Sequence, residues 1–156
     1  MVRQMKIEDY DQVYALWTKI RGFGIRSVDD SKEGVARFLR RNPDTSVVAV
    51  EEDQIVGAIL CGHDGRRGCL YHVCVDPDWR MRGIGKAMVV YAMEALKKEE
   101  INKVSLIAFT QNDIGNAFWK EIGWTKREDL NYYDFTLNEE NITAFIQSSK
   151  IRKRMG

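Results

Sequence analysis

The sequence predicts an α/β domain that contains about seven strands. Apolar residues recur at helical spacing in several segments, and short apolar runs rich in β-branched residues lie between them. Turn signals such as Asp64-Gly65 separate consecutive apolar runs, which indicates antiparallel hairpins. A chain of 156 residues is most simply one domain of this class.

The N-terminal part of the chain is predicted to be mainly helical. Residues 2–5 form a short first strand, and apolar side chains at helical spacing predict a helix over residues 7–21. Residues 22–30 interrupt this helix with a flexible, partly apolar loop. Ser31 can cap a second helix, which should end before Pro43 because a residue that precedes proline disfavours helical geometry.

The middle of the chain is predicted to alternate strands with tight turns. Residues 46–50 and 54–62 are two strands around an acidic turn, and Asp64-Gly65 leads into a third strand over residues 69–75. A helix follows from Gly83 to Glu99, because its apolar residues fall on one face.

The C-terminal part is predicted to complete the sheet. Residues 103–109 form a strand, residues 114–122 form a helix, and residues 124–137 form two closing strands. An extension over residues 138–156 follows.

This extension is predicted to hold one short helix with Ile142, Phe145 and Ile146 on its apolar face. Its basic end, Lys150–Arg154, is either a contact for an acidic partner or a solvated terminus.

Composition and charge exclude several classes of function. A hydrophobic fraction of 44% with 30% charged residues is ordinary for a globular domain, and a formal net charge of +1 gives no reason to expect a nucleic acid. No segment is apolar enough to span a membrane and the N-terminus lacks a signal-peptide core, so we expect a cytoplasmic location. Cys61, Cys69 and Cys74 lack metal-ligand spacing, and His63 and His72 are the only histidines, so we expect no metal site.

The most informative segment is a basic, Gly-rich junction between a predicted strand and the helix after it. The first N–H groups of a helix lack intrahelical partners, and the helix dipole favours an anion there. Gly83 and Gly85 remove side chains that would keep a phosphate from these groups, and Arg80, Arg82 and Lys86 add positive charge. The junction therefore predicts a phosphate or pyrophosphate site.

Two common phosphate motifs do not fit this junction. A P-loop needs a Lys-Ser/Thr pair, and a dinucleotide fingerprint needs a small residue where Met88 stands. The spacing Arg80-x-x-Gly83-x-Gly85, directly after a strand and Asp76-Pro77, instead resembles the acetyl-CoA pyrophosphate loop of the GNAT superfamily of N-acetyltransferases. The segment Asn112–Trp124 is similar to this family's Asn-x₃-Asn-x-x-Tyr-x₃-Gly-Phe segment.

The resemblance implies a three-layer GNAT fold, in which a mixed, mostly antiparallel central sheet of about seven strands is flanked by helices. Residues 1–137 would be the acetyltransferase domain, and residues 138–156 would lie beyond it. The chain looks like a small bacterial member, distantly similar to enzymes that acetylate protein N-termini. The implied reaction is direct transfer of an acetyl group from acetyl-CoA to a primary amine, either a small molecule or a peptide N-terminus.

The resemblance also implies which residues hold acetyl-CoA. The backbone of Val73, Cys74 and Val75 would face the pantetheine and the thioester, with the Val75 N–H as the candidate oxyanion donor. Asn112 would contact the pantetheine and could also cap its helix. The phosphates would bind the backbone of one continuous run, helped by the Arg80 and Lys86 side chains: Met81, Arg82, Gly83, Ile84, Gly85 and Lys86.

The family's usual acid and base are missing from their usual places. Trp119 stands where the family commonly has the tyrosine that protonates the leaving thiolate, and Ile107 stands where some members have a glutamate. An indole N–H can donate a hydrogen bond but cannot give up a proton near neutral pH. Tyr132 or Tyr133 could supply the proton, or the thiolate could leave to water.

Tyr71 and His72 are the remaining candidates for the base. An imidazole titrates near neutral pH, which suits a general base. Adjacent strand residues face opposite sides, so at most one of the two should face the acceptor, and a bulge would change which one. A histidine satisfied inside the core and proton loss through ordered water are the alternatives.

Loops around the cleft are expected to choose the acceptor. Asp29 and Asp30 could attract a cationic amine, or they could cap the second helix. The other expected contributors are the loop 22–30, the hairpins 64–68 and 129–131, and the side chains of Trp17, Phe23 and Tyr133.

Two other classes of function stay open at this stage. A non-catalytic acyl-CoA-binding module would keep the phosphate loop and Asn112 without an acid or a base. A nucleotide-binding regulator would prefer ATP or NAD to CoA. The C-terminal extension could also form a homodimer.

Overall fold

A computed structural model describes residues 1–147 and the backbone of residues 150–154. The helices are α1 (Tyr10–Lys19), α2 (Lys32–Arg41), α3 (Ile84–Lys98) and α4 (Asp113–Glu121), with 3₁₀ turns at Ile7–Asp9 and Pro77–Trp79. The strands are β1 (Val2–Gln4), β2 (Gly24–Arg26), β3 (Val47–Glu51), β4 (Gln54–His63), β5 (Gly68–Val75), β6 (Val104–Ser105), β7 (Thr143–Gln147) and β8 (Lys150–Arg154). No helix within these described residues is long and apolar enough to cross a membrane.

The strands form a larger sheet in the order β1-β3-β4-β5-β6 and a smaller sheet in the order β2-β7-β8. All neighbouring strands are antiparallel except β5 and β6, which run parallel. One core cluster joins α1 and α2 to one face of the larger sheet, and a second joins α3 to the opposite face. This arrangement confirms the predicted class, a mixed and mostly antiparallel sheet flanked by helices.

Strand β4 shows why the sheet is covered on both faces. Residues 55–62 are all buried, which is typical of a strand between two helical layers. Ala58 and Leu60 contribute to the α1/α2 cluster, whereas Ile59 and Cys61 contribute to the α3 cluster.

Most of the predicted elements up to α3 form within a few residues of their predicted bounds. Ser31 caps α2, because its Oγ accepts the Gly34 N–H at 3.0 Å, and α2 ends at Arg41, two residues before Pro43. The predicted loop 22–30 is different, since it contains β2.

The predicted C-terminal helix is wrong. Residues 143–147 form β7, which pairs antiparallel with β2. The spacing of Ile142, Phe145 and Ile146 suits a helix, but Ile146 is buried among the α1/α2 cluster with 1% of its surface exposed. Burial against α1 and pairing with β2 outweigh the local pattern, because β preference follows the packing that surrounds a segment.

The predicted closing strands also do not form among the described residues. Residues 125–137 run without a strand partner there, and the strand predicted over 103–109 pairs only at Val104–Ser105. Five large side chains of this segment are between 61% and 94% exposed: Leu130, Tyr132, Tyr133, Phe135 and Leu137. The basic end forms the backbone of β8, and its side chains lie outside the described residues.

A buried carboxylate secures the start of α1. Asp9 accepts two hydrogen bonds from the Arg3 guanidinium, both at 2.8 Å, and one from the Lys6 N–H at 2.9 Å. The hydrogen bond from Arg3 and then that from the Lys6 backbone lower the pKa of Asp9, although burial opposes them. Asp9 thereby fastens the 3₁₀ turn before α1 to β1.

We expect Asp9→Asn to lower the free energy of unfolding by about 1–3 kcal/mol at neutral pH. The carboxyl pKa is lower in the folded state than in the unfolded state, where it is about 4. Asp9 therefore stabilises the fold at pH values above about 4, and this stabilisation is lost as the pH falls through the folded-state pKa. Urea unfolding across pH 2–7 measures the difference between wild type and variant. Asp11→Asn, on the exposed side of α1, is the control. A difference that persists at low pH would contradict this role of Asp9.

Candidate active site

The cleft of the larger sheet starts where β5 and β6 separate. These two strands pair only through Gly68 with Val104 and Cys69 with Ser105. On its other edge, β5 continues to pair with β4 as far as Val75, which lies opposite Gly57. The backbone of β5 beyond Cys69 therefore faces the cleft along one edge.

The hydrogen-bond alternation in β5 decides which backbone groups face this cleft. The Asp76 N–H donates to the Val56 carbonyl at 2.7 Å, so residue 76 is directed toward β4. In an antiparallel ladder the next residue along points its N–H the opposite way. The N–H of Val75, the candidate oxyanion donor, is therefore directed away from β4 and into the cleft.

A β-bulge in β5 places Tyr71 and His72 on the same face of the sheet. The register shifts between the pairs Leu60–Tyr71 and Ala58–Cys74, and His72 has a φ of 50°. The Tyr71 ring contacts Phe38 of α2, and the His72 ring also lies on the α1/α2 side. The expectation that these adjacent residues face opposite sides of the sheet is wrong, because the bulge interrupts the alternation.

His72 is held by a carboxylate and two aromatic rings. Its Nε2 lies 2.9 Å from Oδ2 of Asp30, and only 13% of the His72 side chain is exposed. Its ring centroid lies 4.9 Å from that of Trp17 and 4.7 Å from that of Phe23. In a neutral imidazole, Nε2–H then donates to the carboxylate and Nδ1 keeps the lone pair that can accept a proton.

Asp30 is a site residue whose role sequence reasoning missed. Its Oδ2 also accepts the Arg26 N–H at 2.7 Å, and its backbone carbonyl accepts the Tyr10 hydroxyl at 2.6 Å. Ser31, not Asp30, caps α2 with its side chain. No local signal could have revealed the contact with His72, since the two residues are 42 positions apart.

Tyr71 keeps its proton at neutral pH. Burial raises the pKa of Tyr71 to about 12, with a further contribution from its hydrogen bond with Cys69. Half of the residue is exposed. A phenol that keeps its proton can donate a hydrogen bond but cannot act as a base at neutral pH.

The phosphate loop follows β5 directly. Met81 has a φ of 64° and Gly83 a φ of 79°, and such alternation of backbone conformation turns successive N–H groups into a concave anion site. Gly83 is the N-cap of α3, and the first intrahelical bond reaches its carbonyl from the Ala87 N–H. The N–H groups of Ile84, Gly85 and Lys86 are consequently left for another acceptor.

The two glycines of the loop, Gly83 and Gly85, are favoured at their positions for different physical reasons. A Cβ on Gly83 would meet no atom within 4 Å, so within the protein only its positive φ favours glycine at that position. A Cβ on Gly85 would lie 3.2 Å from the Phe118 ring, so Gly85 lets α4 pack against α3. The cations of the loop are exposed, and the Arg82 guanidinium lies 4.6 Å over the Trp79 ring.

Buried Asp76 fixes the position of this loop relative to α1. Burial raises its pKa, but hydrogen bonds from Lys19 and from the Asp78 N–H outweigh this effect, so the pKa is lowered overall. The Lys19 Nζ lies 2.5 Å from Asp76 Oδ2.

The predicted residues on α4 and in the segment after it fall into different surroundings. Asn112 is exposed and caps α4 by accepting the Gly115 N–H at 3.0 Å. Trp119 is half-buried between Phe118 and Trp124 in the α3 cluster. Tyr133 is 87% exposed, so it is not packed against Tyr71 or His72.

Among the described residues, no group of three or more His, Cys, Asp or Glu side chains converges on a point that could hold a metal ion.

Comparison with known proteins establishes the family. Residues 10–124 match the model of the acetyltransferase (GNAT) family. An acetyltransferase of Pectobacterium atrosepticum is 31% identical over 112 residues, which are 72% of this chain and 78% of that protein. An acetyltransferase of Sodalis glossinidius is 27% identical over 129 residues, or 83% of this chain and 89% of that protein. The chain belongs to the GNAT acetyltransferase family and is an acyltransferase.

Solved structures show the same fold. The PaiA N-acetyltransferase of Thermoplasma acidophilum, in complex with coenzyme A, has a TM-score of 0.70 at 18% identity, over 84% of this chain and 92% of that chain. The ribosomal-protein-S18-alanine N-acetyltransferase of Escherichia coli has a TM-score of 0.65 at 16% identity, over 87% of this chain and 84% of that chain. At these identities the similarity is one of fold.

We expect the Asp30 carboxylate to set the tautomer of His72. In Asp30→Ala the imidazole loses its partner for Nε2–H, so the Nδ1–H and Nε2–H forms should both be populated. Long-range ¹H–¹⁵N spectra of the histidine ring distinguish the two forms. Asp29→Ala removes the neighbouring carboxylate and should leave the His72 spectrum unchanged. A mixture of tautomers already present in the wild type would contradict this assignment.

Proposed function

We propose that this protein transfers an acetyl group directly from acetyl-CoA to the primary amine of a small molecule or a peptide N-terminus. The observation that carries the proposal is the course of β5. Its backbone leaves β6 at the cleft and then leads directly into the anion-binding loop at the start of α3. A thioester and a pyrophosphate joined by pantetheine need these two features next to each other.

In this proposal the cofactor lies along β5 and the loop. The backbone of Val73, Cys74 and Val75 contacts the pantetheine and the thioester, and Asn112 contacts the pantetheine from α4. The pyrophosphate accepts the free N–H groups at the start of α3, while Arg80 and Lys86 neutralise its charge.

The chemistry then uses a backbone group at the free edge of β5 and the Tyr71 and His72 side chains on its α1/α2 face. The amine nitrogen attacks the thioester carbon, and the negative charge on the carbonyl oxygen is stabilised by the Val75 N–H. Nδ1 of His72 takes the proton of the amine, directly or through water, as the new C–N bond forms. The C–S bond breaks, and the thiolate accepts a hydrogen bond from the Tyr71 hydroxyl and takes its proton from water. The products are the N-acetylated amine and CoA.

The packing of half-buried Trp119 between Phe118 and Trp124 and the exposure of Tyr133 favour Tyr71 over both as this donor.

The test of the proposed reaction is CoA release from acetyl-CoA with a panel of amines and short peptides, together with calorimetric binding of acetyl-CoA. Turnover with one class of acceptor supports the transferase. Tight binding without turnover of any acceptor favours the non-catalytic module instead. Preference for ATP or NAD over CoA would favour the nucleotide-binding regulator.

We expect Gly83→Asp to weaken acetyl-CoA binding at least tenfold. The new carboxylate would stand in the space that a phosphate needs and would repel it. Gly123→Asp is a matched control, since Gly123 also has a positive φ and open space around its Cβ but lies after α4. Both variants strain the backbone by about 1–3 kcal/mol, which thermal unfolding reports separately. Equal loss of binding in both variants would contradict the placement of the pyrophosphate.

We propose that the active form is a homodimer in which the extended segment 125–137 pairs with a second copy. Tyr133, Phe135 and Leu137 alternate along this segment and are 87–94% exposed. Apolar residues without a strand partner in their own chain can pair with a second copy. Ile107 and Phe109, beside the cleft, are also exposed and offer an apolar surface on the second copy.

In sedimentation experiments we expect wild type to be dimeric at micromolar concentration. Phe135→Asp should be monomeric, because it places a charge in the apolar contact, and the neighbouring Thr136→Asp should remain dimeric. A monomeric wild type would rule the homodimer out.

The cytoplasm is the proposed location, which the three unpaired cysteines support.

A further inference from the structure

A cavity of about 380 Å³ lies on the α2 side of the larger sheet, at the point where β5 and β6 separate. Cys69 and Tyr71 of β5 and Ser105 of β6 line its sheet side. The cavity therefore begins next to Tyr71 and one residue from His72, the two candidate catalytic side chains. A molecule whose amine approaches these residues can extend into it.

Two aromatic rings and the close approach of α2 to the sheet determine the shape of this cavity. The Phe38 and Tyr71 rings meet at 89° with their centroids 5.9 Å apart, which forms an apolar wall. Gly62 forms part of the floor, and a Cβ there would lie 2.7 Å from the Phe38 ring and from the Asn42 side chain. The absence of a side chain at Gly62 lets α2 approach the sheet here.

The side chains of Asn42 and His63 form contacts within the protein at the floor of the cavity. Buried Asn42 accepts the His63 N–H through Oδ1 at 2.9 Å. The His63 ring has both nitrogens engaged, since Nδ1 accepts the Gly65 N–H at 2.9 Å and Nε2 lies 3.2 Å from Glu99. These hydrogen bonds and the contact with Glu99 hold Asn42 and the His63 ring in place and so shape the cavity.

The charged side chains at the rim give the cavity a net positive charge. Arg41 at the end of α2 and Arg67 in the β4–β5 hairpin both line it, and neither forms an ion pair with another described residue. The one carboxylate of the lining, Asp64, is exposed, accepts the N–H groups of Arg66 and Arg67 through Oδ1, and also attracts the Arg67 side chain electrostatically. Two guanidinium groups thus face one carboxylate that the backbone already binds.

We propose that this cavity binds a carboxylate carried by the acceptor, so that the enzyme prefers amines that bear a carboxylate a short distance from the nitrogen. This inference rests on the proposed transferase function and names its substrate class. A guanidinium is a planar fork that matches the two oxygens of a carboxylate, and two of them at the rim select an anionic acceptor over a neutral one. The carboxylate belongs either to a free amino acid or to an acidic side chain near a peptide N-terminus.

The test compares acceptors that differ in one group only. An amino acid is paired with its amide, and a peptide that begins Ala-Asp is paired with one that begins Ala-Asn. We expect kcat/KM to favour the carboxylate member of the preferred pair by roughly tenfold or more. Whichever pair shows this preference identifies the source of the carboxylate.

Neighbouring arginines supply matched controls for the same measurement. Arg67→Ala and Arg41→Ala should raise KM for the carboxylate acceptor roughly tenfold and remove the preference. KM for the amide acceptor should stay as in wild type. Arg66→Ala and Arg40→Ala remove the same charge next to these positions but outside the cavity lining, and they should keep the preference.

Calorimetric binding of the carboxylate and amide acceptors separates this inference from the reaction itself. Selective binding of the carboxylate member that Arg41→Ala or Arg67→Ala abolishes supports the cavity, even if no acceptor is turned over and the transferase proposal fails. Equal affinity for both members, or equal effects of the cavity and control variants, would overturn the inference while leaving the transferase proposal intact.

Discussion

The candidate site depends on one strand that is paired fully along one edge and only briefly along the other. Strand β5 is held by β4 as far as Val75, and it is held by β6 only at Gly68 and Cys69. The longer edge fastens β5 to β4, which is buried between two helical layers. The short edge leaves backbone groups unpaired at the surface of the core. A substrate can then use these groups without any loss of sheet pairing.

The bulge in β5 determines which helical layer the Tyr71 and His72 side chains face. Without it, Tyr71 and His72 would face opposite layers, and the candidate donor and base could not serve one cleft. With it, both rings join α1 and α2, while Val73 and Val75 pack toward α3. His72 is then held in one orientation by Trp17, Phe23 and Asp30, and only 13% of its side chain remains exposed. The positive φ of His72 is the local strain that accompanies this arrangement.

Several features of the site had no signal in the sequence. The contact of Asp30 with His72 joins a loop before α2 to a strand after a hairpin, so only tertiary structure could bring the two together. Gly85 looked like a phosphate-binding glycine, whereas its lack of a side chain also serves the packing of Phe118. The cavity beside Tyr71 arises from Gly62, Phe38 and Asn42, which come from separate elements.

The sequence by itself determined the elements that depend on interactions between neighbouring residues. Helical spacing predicted α1 to α4, Ser31 was predicted as a cap, and the Gly-rich junction after β5 predicted that α3 starts at Gly83. These features depend on a few neighbouring residues, whose conformational preferences are strong. Tertiary structure alone decided the outcome for residues 125–147, where the predicted strands and helix were replaced by an exposed extended segment and by β7. Apolar side chains at that spacing suit either element, and the choice was made by β2 and the α1/α2 core, which are distant in sequence.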